Sequence, residues 1–116
     1  MSVAAALLLA LRGAGAPTSL TFDVRCMVVL GQLAQSGEES MRAAASTASQ
    51  YYFGRIDGRV PDAELEEAIW RETRGLRVDE RQQIVQACAT HMQQRGQRLV
   101  EVGNRIGARE GQPARQ

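Results

Sequence analysis

Residues 79–109 read DERQQIVQACATHMQQRGQRLVEVGNRIGAR, and the fold turns on this stretch. Ile84, Val85, Cys88, Met92, Leu99, Val102 and Ile106 recur mostly at spacings of three, four and seven, which places them along one face of a helix. Asp79 is a suitable N-cap, and the pattern runs to about Arg109. The near-heptad spacing over about 30 residues predicts a helix whose last turns project beyond a small domain. Two uses of that end stand side by side: packing against a second copy, as a homodimer through this C-terminal helix, or an arginine-rich frayed tail. Gly96, Gly103 and Gly107 lower helix propensity there.

Three further helices precede it. From Phe22, the residues Cys26, Val29, Leu30 and Leu33 keep helical spacing, and Ser36-Gly37 ends the run and caps the next. The second helix carries Met41, Ala45, Ala48, Tyr52 and Ile56 on one face, with Ala43 and Ala44 beside them, so a neighbour can approach closely. Asp57-Gly58 stops it, with Gly58 in a left-handed C-terminal position. Pro61-Asp62 opens a short helix to about Arg74, with Leu65, Ala68 and Ile69 inward and Gly75 at its end. Alternating β-branched runs are absent. The fold is therefore an all-α bundle of about four helices, a single domain over residues 22–109.

The amino terminus differs from this pattern. Residues 3–11 read VAAALLLAL, too short for a bilayer span, which needs roughly 20 residues. Small residues follow, ending in Ala14-Gly15-Ala16, so residues 1–16 read as a secretory signal peptide and 17–21 as a linker, the alternative being an ordinary buried first helix. Residues 110–116 read as a disordered tail. Export, to the periplasm or the medium, makes a Cys26–Cys88 disulfide the expected state of the two cysteines, each on an inward helix face.

The chain has 14 basic and 13 acidic residues, a formal net charge of +1, and every basic residue is arginine. Losing residues 1–16 removes Arg12 and leaves 13 arginines against 13 carboxylates. This balance argues against nucleic acid as a partner. The absence of lysine excludes Schiff-base chemistry and a P-loop. Cys88-Ala89-Thr90-His91 carries two metal-ligand types, but two further ligands are not evident, so no metal or other cofactor is expected and His91 reads as a surface residue. Glu64, Glu66 and Glu67 read as a solvated face pairing with Arg71 and Arg74. No nucleophile–base pair emerges, and no enzyme is expected.

The densest cluster is Tyr51-Tyr52-Phe53-Gly54-Arg55-Ile56-Asp57-Gly58-Arg59. With Tyr52 and Ile56 inward, Tyr51, Arg55, Asp57 and Arg59 form a candidate partner-binding patch, rich in residue types that dominate interfaces. The alternative is that the segment is the aromatic centre of the core. Gly54 inside a helix points to close approach by another helix.

Two cysteines in an exported helical chain, the second within Ile84-Val85-Gln86-Ala87-Cys88 after Gly75-Leu76-Arg77-Val78, resemble the periplasmic acid-stress chaperones of the HdeA type. The Tyr52-Phe53-Gly54-x-x-Asp57-Gly58 segment resembles a glycine-bearing helix of Rap/Tai-type immunity proteins, and small bacterial exported helical proteins with a Y-x-G-R-x-D-G segment. The lysine-rich tail of the chaperones is replaced here by arginine and glycine. Together these readings give an exported, non-enzymatic helical domain that binds a protein partner. The chaperone resemblance implies the alternative, an acid-triggered holdase.

Overall fold

The computed structural model describes residues 19–111, which form four α-helices: α1 (Leu20–Ser36), α2 (Glu39–Asp57), α3 (Asp62–Gly75) and α4 (Arg81–Glu110). A single 3-10 turn, Val78–Glu80, leads into α4. Among the described residues there is no strand. The signal-peptide reading of residues 1–16 falls outside the described residues.

The helix ends show local corrections. Ser19 accepts a hydrogen bond from the Phe22 amide at 3.1 Å, satisfying one of the orphan donors of a helix start. That cap draws Leu20 and Thr21, expected in a linker, into α1. The N-cap of α2 is Glu38, with no side-chain cap bond, rather than Ser36 or Gly37. Arg42 instead donates to the Gly37 carbonyl at 2.8 Å. Gly58 lies at φ −81°, so α2 ends without a left-handed residue. Gly37 is needed for space: a Cβ there would sit 2.5 Å from the Leu33 carbonyl oxygen. Asp79 belongs to the 3-10 turn and does not cap α4, and Glu110 belongs to α4, not to a tail.

The core lies mainly between α1 and α2. Val24, Cys26, Val29 and Leu30 of α1 face Ala45, Ala48, Tyr52 and Ile56 of α2, all buried. Small residues let the two backbones close in: a Cβ on Gly31 would touch Ser49 Oγ at 3.4 Å, and that hydroxyl donates to the Met27 carbonyl at 2.9 Å. Ala45 and Ala48 serve this contact, whereas Ala43 and Ala44 are exposed. The third helix has no fully buried residue and is tied to α1 by Arg25, whose Nε donates to Glu72 Oε2 at 2.8 Å. α4 joins the core through its first half only. Cys88 is fully buried and bonded to Cys26, with S–S 2.08 Å and Cα–Cα 5.7 Å, and Ile84 and Met92 pack against the same cluster.

Candidate functional site

The cluster read from residues 51–59 assembles around a residue that the sequence reading missed. Asp23, in the first turn of α1, is fully buried. Arg55 Nε donates to its Oδ1 at 3.2 Å, and Arg59 Nη2 donates to its Oδ2. An isolated buried carboxylate is costly, and two guanidinium groups one helical turn apart offset that cost. Burial alone would lower the pKa of Arg55, but Asp23, with a smaller contribution from Tyr51, raises the guanidinium pKa overall. Arg59 also donates to the Arg55 carbonyl at 2.8 Å, closing the end of α2.

An aromatic group adjoins this pair. Tyr52, fully buried, donates its hydroxyl to the Cys88 carbonyl at 2.6 Å, linking α2 to α4 beside the disulfide. Burial pushes the Tyr52 phenol pKa up, so the proton stays in place. Phe22 meets the Tyr52 and His91 rings edge-on, with centroids 6.2 and 6.0 Å away. The Tyr51 hydroxyl and His91 Nε2 share a hydrogen bond at 3.1 Å. Arg55 also lies 5.9 Å from the centre of the Tyr51 ring.

His91 is thus half-buried in an aromatic nest rather than on the surface. Burial lowers its pKa, and the positive charges of Arg55 and Arg95 act in the same direction against a weaker pull from Asp23. The folded state therefore favours the neutral ring. That contribution to stability is complete above the unfolded-state value near 6.5 and is lost as pH falls through the lower folded value.

Of the residues singled out from sequence, Tyr51, Arg55 and Arg59 come together at Asp23 and His91. Asp57 is exposed at the end of α2. Gly54 is also exposed, and a Cβ there would meet nothing within 4 Å. Among the described residues no helix approaches it, contrary to the packing role its position suggests. Glu67 and Arg71 form no ion pair, and the engaged carboxylate of α3 is Glu72, while Arg74 lies 5.3 Å over the exposed Trp70 ring. Among the described residues no group of three or more His, Cys, Asp or Glu is placed to hold a metal ion, and no helix is long and apolar enough to cross a membrane.

Asp23 left a readable trace. It shares a helix face with Cys26 and Leu30, three and seven residues on, so a carboxylate stands in an apolar stripe. Such a position calls for a buried cation, and Arg55 and Arg59, four apart beside inward Tyr52 and Ile56, are the available pair.

A separate cleft of about 400 Å³ opens between the C-terminal end of α1 and the starts of α2 and α4. Val29, Leu33, Met41 and Val85 line it, with Gln32 Oε1 buried there without a hydrogen-bond partner.

Compared with known proteins, the chain matches no family model, no curated relative and no solved structure.

Proposed function

We propose that the chain is an exported, non-enzymatic helical domain that binds a protein partner through the outer face of α2. The observation that carries this reading is Gly54. A glycine inside a helix costs about 1 kcal/mol relative to alanine. Nothing among the described residues needs the space that Gly54 leaves open. It lies on a face made of Ala43, Thr47, Gln50 and Asp57, all exposed, with Phe53 standing 42% exposed at its edge. A flat, small-residue helix face with an aromatic rim suits a partner helix packed at short distance. The disulfide fits an oxidising compartment outside the cytosol. Arg55 and Arg59 then hold α2 in place from behind, through Asp23.

The test is affinity capture from periplasmic extract with the wild type and with Gly54→Gln plus Phe53→Ser, after circular dichroism has shown unchanged helicity. A partner held by the wild type should bind the variant at least about tenfold more weakly, the loss of one good contact. Equal capture by both proteins removes this surface from the account.

A second reading, the acid-triggered holdase, is supported by the placing of Asp23 and His91 in one cluster. Acid charges His91 between Arg55 and Arg95, beside the Asp23 cluster. That change loosens the junction of α1, α2 and α4. The melting temperature is expected to fall steadily from pH 7 downward, beginning near the unfolded-state histidine value of about 6.5. Client aggregation should be suppressed at about pH 2–3 and not at pH 7. Suppression at neither pH eliminates the holdase.

A further inference from the structure

We propose that the second half of α4 is a self-complementary surface that pairs antiparallel with α4 of a second copy of this chain. The face of α4 that enters the core carries Ile84, Cys88 and Met92. At 3.6 residues per turn, the same face continues through Arg95, Leu99, Val102, Gly103, Ile106 and Glu110. Among the described residues of this face past Met92 none is buried, and Val102 alone is half-buried. Leu99 is 72% exposed and Ile106 50% exposed, and no residue of this half is buried. Gly103 is a helix-interior glycine, and among the described residues nothing lies within 4 Å of a Cβ placed on it.

Charge and shape together select the occupant. A two-fold axis between Val102 and Gly103 sets Leu99 against the partner's Ile106 and Val102 against the partner's Gly103. The same axis sets Arg95 against the partner's Glu110. Every position on the face then meets its complement: branched apolar on branched apolar, large on small, cation on anion. This is the isologous pattern that a two-fold dimer requires. A parallel pair fails on two counts. It would stack the two Arg95 residues against each other and the two Glu110 residues against each other. It would also place the partner's first half where α1 and α2 already pack against α4, at the Cys26–Cys88 bond and the Tyr52 to Cys88 hydrogen bond. In the antiparallel pair the two bundles lie at opposite ends of the seam. Arg98, on the flank, is already paired with Glu101 at 3.1 Å and brings little uncompensated charge to the interface. The paired segments are short, about 24 Å each, so association in the micromolar range is expected.

Sedimentation equilibrium on the full, oxidised chain tests this. The wild type should dimerise at micromolar concentration, and Leu99→Glu plus Ile106→Glu should weaken association at least about thirtyfold with unchanged helicity. Orientation is read by mixing chains carrying Leu99→Cys with chains carrying Ile106→Cys under mild oxidation. Antiparallel pairing crosslinks the mixture in preference to either chain alone. A wild type that stays monomeric at high micromolar concentration overturns the proposal. So does a dimer indifferent to the Glu substitutions, or one in which Leu99→Cys chains crosslink efficiently to each other.

Discussion

Replacing Arg55 and Arg59 together by alanine is expected to destabilise the domain by about 3–5 kcal/mol, the cost of removing the cations paired with a buried carboxylate. Asp23 is the fully buried member of the group, while the two arginine side chains keep 26% and 37% of their surface in water. The loss is therefore asymmetric. Asp23→Ala frees two guanidinium groups that reach solvent with small movements, so it should cost less than the double arginine change. Adding Asp23→Ala to the double variant should restore part of the lost stability, because the stranded carboxylate is then gone. Urea unfolding with an unchanged dependence on denaturant concentration would report these differences cleanly. A double arginine variant as stable as the wild type would mean that Asp23 does not organise this end of the bundle. Against a total stability of about 5–15 kcal/mol for a domain of this size, the predicted loss is large enough to decide whether the protein is folded at 37 °C.

Removal of the disulfide, by Cys26→Ala plus Cys88→Ala, is the second large effect. The bond joins residues 62 apart in sequence. The chain-entropy model gives about 4 kcal/mol for a loop of that length. At roughly 4–8 °C per kcal/mol for a small domain, the melting temperature should drop by roughly 15–30 °C in scanning calorimetry. The architecture explains why the bond matters here. The first half of α4 meets the other helices through a narrow contact centred on Cys88, the Tyr52 hydrogen bond and the His91 nest. Among the described residues the rest of α4 has no fully buried side chain, and only Val102 is half-buried. A change of less than a few degrees would show that side-chain packing alone holds α4.

Periodicity made the helices legible. The spacing from Phe22 to Leu33, and from Ala45 to Ile56, follows directly from burial of one face in the α1–α2 core, whereas Met41, expected on that face, is 49% exposed; the Cys26–Cys88 bond is expected from export, inward positions alone being equally compatible with buried free thiols. Helix ends were less legible, because capping turns on single hydrogen bonds. Ser19 caps α1 and lengthens it, whereas Glu38 starts α2 with no side-chain bond. The site was legible in its membership and not in its logic. Tyr51, Arg55 and Arg59 stand out as interface residue types, but their side chains turn toward Asp23 and His91, which come from α1 and α4. Sequence pattern reports which face a residue occupies on its own helix. It does not report which polar groups three helices bring to one point. Gly54 makes the complementary case: its spacing suggests close packing, and the space beside it is open.

We propose an exported domain, and its first and last described helices are joined covalently. Intact-mass analysis of the protein recovered from the periplasm or medium, alkylated without reductant, tests that claim most directly. The expected species carries no alkyl group, weighs two protons less than its reduced form, and begins after residue 16. Recovery from the cytosol with Met1 retained and two freely alkylated thiols would contradict it.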